Sequence, residues 1–291
     1  MRGVAAALVL SARPRQWSKN LVVLSALLFA LEFRDGVSVL VAVAAMLLFT
    51  ATSGGHYVLN DVIDVSLDQQ HPSKRNRPIA AGRLSRSIAT GAAVFVILTA
   101  TVLGFLLAWP LGVALTSYVL LQVMYTLWLK HIVVLDLLAI SIGFVIRAAG
   151  GALAISVAIS PWLYICTFVL ALFLAVSKRW AELAGQPSAQ SARPVLGTYT
   201  PDFLRTLIVI TVTSTLISYT LYTFSAPNLP TNHSMMLTVP IVLYGLLRYV
   251  YLVQVRGVGE APERLLLEDR GILASSALWV VMSGAILQFA A

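Results

Sequence analysis

The sequence predicts an all-α polytopic membrane protein, with nine transmembrane helices in a single domain over residues 1–291. Three observations carry that reading. Apolar runs of spanning length recur along the whole chain. Hydrophobic residues make up 59% of it and charged residues only 11%, with a mean hydropathy of +0.87, far outside a soluble globular domain. Lys and Arg fall almost entirely on one side of the implied spans.

Taken in order, Met1–Leu10 is apolar but short, and Arg13-Pro14-Arg15 follows at once. It reads as a retained interfacial helix and not as a signal peptide. The spans lie near 20–33, 37–60, 86–108, 111–128, 133–157, 161–180, 203–224, 235–255 and 271–290. The first is short, and is expected to tilt or to be extended by its flanks. With the N-terminus inside, the cytoplasmic segments hold Arg13, Arg15, Lys19, Lys74, Arg75, Arg77, Lys130, Lys178, Arg179, Arg193 and most other cations. The outer loops hold Arg34, and Arg147 and Arg248 fall inside spans. The N-terminus is therefore expected in the cytoplasm and the C-terminus outside. Outer connections are tight, as at Trp109-Pro110, whereas the inner ones at 61–85, 181–202 and 256–270 are long and charged. Charged long loops are where chemistry is usually placed, so the cytoplasmic face is the working face. Trp17, Trp128 and Trp180 near the inner boundary read as interfacial anchors.

The net charge of +8 does not point to nucleic acid, because little polar surface is left for base readout. The inside-positive bias accounts for most of it, and anionic substrates for the rest. The single cysteine, Cys166, excludes an intrachain disulfide and reads as a small core residue.

The chain is organised around Asn60-Asp61-Val62-Ile63-Asp64-Val65-Ser66-Leu67-Asp68, which leaves the second span and opens into His71-Pro72-Ser73-Lys74-Arg75-Asn76-Arg77-Pro78. If the helix continues, the carboxylates of Asp61, Asp64 and Asp68 share one face within an arc of about 60°. They repel one another, and no Lys or Arg lies a turn away within the stretch to relieve them. Mg²⁺ would, since it takes carboxylate oxygens and keeps room for phosphate oxygens. The expectation is a Mg²⁺–diphosphate site at the cytoplasmic mouth of the bundle.

Arg147 is a different signal. A mid-span cation is costly unless it is paired or faces a cavity, and Asp136 lies too far along the same helix to pair with it. Arg147 is expected to face the central cavity and to contact another helix or substrate phosphates. Gly143, Gly150 and Gly151 would let that span pack closely.

The N-D-x-x-D-x-x-x-D pattern after the second span resembles the UbiA superfamily of intramembrane prenyltransferases. The resemblance covers essentially the whole chain and includes Tyr125 and Lys130 before the fifth span. It implies a UbiA-type bundle whose central cavity opens to the cytoplasm. It also implies that Asn60, Asp61, Asp64 and Asp68 bind Mg²⁺ and the donor diphosphate. One departure matters. A second acidic motif is usual after the sixth span, but here stand Lys178, Arg179 and Glu182. Two cations there suggest direct phosphate contacts. With Lys19 and the basic N-terminal stretch, they resemble the phosphoribosyl branch of the superfamily. That branch moves 5-phosphoribose from phosphoribosyl diphosphate (PRPP) to decaprenyl (polyprenyl) phosphate, toward the arabinose donor lipid of mycobacterial cell walls. Lys74, Arg75 and Arg77 would then hold the 5-phosphate or diphosphate, or simply form an inside-positive loop. Arg193 and Tyr199 would close over the donor. His56, His71, His131 and His233 are scattered without metal-ligand spacing, and His71 is the one placed to touch substrate beside the motif.

Two other readings stay open at this point. One is an aromatic prenyltransferase of a quinone or haem pathway, which would favour a second acidic motif. The other is a lipid-phosphate transporter, which would carry polar residues through the depth of several spans. Small outward residues permit a homo-oligomer without pointing to one.

Overall fold

In a computed structural model of the chain, every regular element among the described residues is helical. The structure describes residues 2–30, 32–72, 74–158, 161–185, 194–226, 229–259, 265 and 267–289. The elements are α1 (Arg2–Ser11), a 3₁₀ run (Pro14–Leu24), α2 (Ser25–Phe29), α3 (Gly36–Ile63), α4 (Val65–Gln70), α5 (Arg86–Leu107), α6 (Trp109–Leu127), α7 (Leu135–Ala154), α8 (Pro161–Gly185), α9 (Pro201–Ser225), α10 (Val239–Gln254) and α11 (Arg270–Phe289).

Eight helices among the described residues are long and apolar enough to cross a membrane. They are α3, α5, α6, α7, α8, α9, α10 with the 3₁₀ turn before it, and α11. The chain is a multi-pass membrane protein. Its outward side chains fit that solvent: Leu106 is 77% exposed and Leu40 72%. The first expected span, 20–33, is instead the end of the 3₁₀ run followed by the five-residue α2. Pro14 opens that run, and the polar residues Arg15, Gln16, Ser18, Lys19 and Asn20 fill its first half. The apolar part is too short to make a spanning α-helix by itself.

The chain folds as two compact units. The first comprises Met1–Leu27, Phe33–Lys130 and Ile146–Ala158. Within it α3 packs on α5, on α6 and on the 3₁₀ run. Val23, Ala45, Phe49, Leu111, Leu115 and Tyr118 form one core there. Gly150 and Gly151 permit the close approach expected of them. A Cβ at Gly151 would lie 1.9 Å from the carbonyl oxygen of Val23, and one at Gly150 would strike the Phe49 ring. A second core collects Ala7 of α1, Val58 of α3, Val65 of α4, and Ile79, Ala80 and Leu84 of the following loop.

The second unit comprises Leu28–Glu32, His131–Val145 and Ile159–Ala291. Here α8 packs on α9, and α10 on α11. Phe173, Leu204, Ile208, Tyr249 and Leu252 fill the core. Trp180 is buried in it, whereas Trp17 and Trp128 are exposed and suit an interfacial position. Arg248, the second in-span cation, pairs with Asp269 at 2.9 Å. Asp269 also accepts the Ile272 N–H at the start of α11, so it serves as that helix's cap.

Candidate active site

Helix α3 stops at Ile63, and Asp64 (φ −87°, ψ 11°) separates it from α4. Helical hydrogen bonds still cross the break, from Asp64 N–H to the Asn60 carbonyl at 2.9 Å and from Asp68 N–H to the Asp64 carbonyl at 2.8 Å. Asp61 and Asp68 therefore keep a common face, as their spacing predicts, while Asp64 turns to other partners.

Relief for the three carboxylates comes from far away in sequence. Arg77 Nη1 donates to Asp61 Oδ1 at 2.9 Å and to Asp68 Oδ2 at 2.7 Å. Arg13 Nη2 donates to the same Asp61 Oδ1 at 2.5 Å. Lys130 Nζ donates to Asp64 Oδ1 at 3.0 Å, and the Asn60 amide donates to Asp64 Oδ2 at 2.9 Å. The carboxylates lie deep, with the Asp61 side chain 2% and the Asp68 side chain 5% exposed. The Arg13 and Arg77 side chains are about a quarter exposed, so they are far more accessible than the carboxylates they bind.

Local folding explains how these cations arrive. Arg77 is followed by the buried Pro78, Ile79 and Ala80, which dock on the core built by Ala7, Val58 and Val65. The Pro78 carbonyl accepts the N–H groups of Arg83 and Leu84, and Gln69 donates to the Ala80 carbonyl, closing the loop. Arg13 sits between α1 and the 3₁₀ run in a left-handed conformation (φ 54°) uncommon outside glycine. Its guanidinium also lies 5.0 Å over the Tyr57 ring.

Among the described residues, no three His, Cys, Asp or Glu side chains converge as a ready-made metal cage. Mg²⁺ does not require one, because it binds through one or two carboxylates together with waters and substrate phosphates. Asp61 and Asp68 place hard oxygen donors around a point already filled by one cationic nitrogen, Arg77 Nη1. The donor chemistry fits a hard divalent cation, on condition that the guanidiniums give way.

Deeper in the same unit, Arg147 is 4% exposed. Its Nε donates to Asn20 Oδ1 at 2.8 Å and its Nη2 to the Tyr118 hydroxyl at 2.5 Å, with the guanidinium 4.5 Å over the Tyr118 ring. Asn20 in turn donates to Ser53 of α3. The expected contact with other elements is present, made through neutral oxygens of the 3₁₀ run and of α6.

The second unit holds its own charged cluster. Arg179 Nε donates to Asp136 Oδ2 at 3.0 Å, and its Nη1 to Glu182 Oε2 at 2.9 Å. The Tyr199 hydroxyl donates to Asp136 Oδ1 at 2.7 Å and accepts the Val134 N–H at 2.8 Å. Arg179 is 1% and Asp136 0% exposed, so Arg179 meets carboxylates where the sequence suggested phosphates. Tyr199 is likewise buried, at 3% exposed. Lys178 is half-buried, 3.9 Å from Glu182. Val134 has φ 69°, a strained setting for a β-branched residue.

Of the remaining expected residues, Lys19 donates to Gln16, and Lys74 and Tyr125 are half-buried. Arg75 is exposed, and Arg193 lies outside the described residues. The partners that sequence reasoning missed are Arg13 as an acid-binding group, Asp136, Asn20 and Tyr118. Of these, Arg13 carried a signal as a basic residue beside the N-terminal anchor and Asp136 as an acid at the head of a span.

The UbiA prenyltransferase family model matches residues 21–267. The chain belongs to the UbiA prenyltransferase family. Within it, the chain is 32% identical over 291 residues to decaprenyl-phosphate phosphoribosyltransferase of Mycobacterium tuberculosis, covering 98% of this chain and 96% of the relative. It is 33% identical to the protein of the same name from Corynebacterium glutamicum, over 96% of this chain and 86% of the relative. Among solved structures, a UbiA homologue from Archaeoglobus fulgidus bound to GPP and Mg²⁺ superposes with a TM-score of 0.75. It shares 16% identity, with 97% of this chain and 99% of that one covered, and therefore supports the UbiA fold alone.

Proposed function

We propose that this chain transfers 5-phosphoribose from PRPP to decaprenyl (polyprenyl) phosphate and releases diphosphate. The observation that carries this reading is the similarity, over nearly the full length, to proteins named for that transfer. The chain's charge pattern supports it. Donor and acceptor together bring a diphosphate and two further phosphates, and this chain offers cations at Arg13, Lys19, Lys74, Arg75, Arg77, Lys130 and Lys178. The side chains of Asn60, Asp61, Asp64 and Asp68 would hold Mg²⁺, which when bound would neutralise charge on the leaving diphosphate.

In this reading the ribose C1–O bond to diphosphate breaks, and diphosphate departs with the electron pair. A new bond forms between C1 and an acceptor phosphate oxygen, through an oxocarbenium-like transition state. The acceptor phosphate is already ionised near pH 7, so no general base is required. The residues' work is to position two anions against each other and to stabilise departing charge. Lys130 and Asn60 orient Asp64, while Arg13 and Arg77 supply cations beside Asp61 and Asp68. Arg147 would set the position of the Asn20 segment or meet a phosphate. The working face is the cytoplasmic side of a bacterial plasma membrane, and the lipid product would serve as a precursor of cell-wall arabinan.

The test is a transfer assay on detergent-purified protein. It combines labelled PRPP, decaprenyl phosphate and Mg²⁺, with Asp64→Asn and a chelator as controls. Label is expected in the lipid phase, and is expected to be lost in both controls. Transfer instead from a prenyl diphosphate to an aromatic acceptor would move the chain to the quinone or haem branch. Silence with both substrate pairs would favour a lipid-phosphate transporter.

A further inference from the structure

The acidic motif is not an open set of carboxylates. Three acids and three bases are interleaved there with a net charge of zero, each acid held by at least one base within 3.0 Å. Asp61 Oδ1 is engaged by two guanidiniums at once, and Arg77 Nη1 occupies the gap between Asp61 and Asp68. A metal ion and a guanidinium nitrogen cannot share that gap. A divalent cation arriving alone would have to displace Arg77, would leave that guanidinium without its carboxylate partners, and would give the remaining buried group a net charge of +1. A diphosphate arriving alone would meet two cations already engaged by carboxylates. When both arrive together, the metal takes the acids and the freed guanidiniums find phosphate oxygens, with charge nearly conserved.

We propose that Arg13 and Arg77 are place-holding cations that make metal and diphosphate binding mutually dependent. Before a metal binds, they neutralise Asp61 and Asp68. On arrival of the metal diphosphate they exchange their carboxylate partners for phosphate oxygens. The proposal rests on the reading of this motif as a metal–diphosphate site.

Three features of the geometry support the exchange. The Arg13 and Arg77 side chains are about a quarter exposed while Asp61 and Asp68 are almost fully buried, so an incoming anion can reach the arginines more readily than a cation can reach the acids. The backbone around Arg77 is fixed by the Pro78 turn and by burial of Ile79 and Ala80, so the motion needs only side-chain rotation. Arg13 has a second resting surface in the Tyr57 ring, against which its charge can stay while its hydrogen bonds change. Guanidinium donates equally well to carboxylate and to phosphate in paired geometry, so partner exchange costs little intrinsically.

The test reads binding and not turnover, on the full chain in detergent, with inorganic diphosphate and Mn²⁺ as probes. Mn²⁺ bound without diphosphate is followed by electron paramagnetic resonance. Retention of labelled diphosphate is followed separately at saturating Mn²⁺. Arg77→Gln should bind Mn²⁺ alone about tenfold more tightly than the unmodified chain and retain diphosphate about tenfold less tightly. Arg13→Gln, which touches only Asp61 of the three acids, should shift both in the same directions by less. Arg77→Lys should restore diphosphate retention toward that of the unmodified chain. Opposite signs for the two probes are the signature. Variants that remain monodisperse and bind Mn²⁺ alone no better than the unmodified chain would overturn the place-holding role while leaving the metal site intact. Failure of the unmodified chain to retain diphosphate in the presence of Mn²⁺ would instead remove the metal–diphosphate reading itself.

Discussion

The hydroxyl of Tyr199 donates to the buried carboxylate of Asp136 at 2.7 Å. The same oxygen accepts the N–H of Val134, whose backbone is held at φ 69°. One phenol thus secures a strained turn and half of a buried ion pair. Tyr199→Phe should cost about 1–3 kcal/mol, the usual consequence of orphaning buried polar groups. Asp136→Asn should cost more, about 3–5 kcal/mol, since it leaves the Arg179 charge buried without its best acceptor. Thermal unfolding in one detergent ranks the two, and equal melting temperatures would refute the ordering.

Burial, and then the hydrogen bond to Asp136, push the Tyr199 hydroxyl above its usual range. A group whose proton is held more tightly in the folded state stabilises it fully below the unfolded pKa, about 10 for tyrosine, and loses that contribution as pH rises further. The melting temperature should therefore fall more steeply above pH 10 in the unmodified chain than in Tyr199→Phe. Parallel curves would count against the assignment.

His71 shows the opposite sign. Burial, with the charge of Lys74 second, lowers its pKa. Its Nδ1 accepts the Lys74 N–H at 3.4 Å, which requires an unprotonated nitrogen. This contribution is present above the ordinary histidine value of about 6.5 and is lost as pH falls. Activity should decline on the acid side as the loop carrying Arg77 loosens, and His71→Gln should flatten that limb. An unchanged acid limb in His71→Gln would exclude the role.

The Arg147 guanidinium joins Asn20 to Tyr118. Arg147→Leu should cut transfer sharply, at least about tenfold, by removing a buried charge together with both hydrogen bonds. Tyr118→Phe keeps the ring under the guanidinium and should cost only about 1 kcal/mol. In a double-mutant cycle, Asn20→Ala and Arg147→Leu should be non-additive, whereas additive losses would mean the two act separately.

Gly151→Ala would place a Cβ 1.9 Å from the Val23 carbonyl oxygen, and backbone cannot yield as a flexible side chain does. No stably folded protein is expected from it. Gly91→Ala, in α5 with nothing near the new carbon, should be neutral or stabilising by up to about 1 kcal/mol. Expression and monodispersity in detergent distinguish the two.

The sequence disclosed most of the spans because length and apolar content are local quantities. It also disclosed the Asp61–Asp68 face, since a seven-residue separation returns to one side of a helix whether or not Asp64 interrupts it. Gly150 and Gly151 were legible for a similar reason: paired small residues inside a span imply close packing. Partner choice was not legible. Arg179 and Asp136 are 43 residues apart, and nothing in periodicity says that a helix-end arginine will turn inward to an acid on another helix. Arg13 was visible as a basic residue beside an anchor, but its bond to Asp61 depends on where α1 docks. The 20–33 run misled because hydropathy does not distinguish a 3₁₀ run from a spanning α-helix.

The loop between His71 and Arg83 is long, polar at its start and rich in cations, the kind of segment in which families usually tolerate insertions and deletions. Here its second half is committed: Ala80 accepts from Gln69 of α4, the Pro78 carbonyl closes the turn, and Arg77 stands over two acids. A single residue added on either side of Arg77 would rotate that guanidinium off Asp61 and Asp68 while leaving every span intact. The placement of Arg77 over Asp61 and Asp68 thus depends on the number of residues in this loop, and a chain with a different count there would have to neutralise its acidic motif by another route.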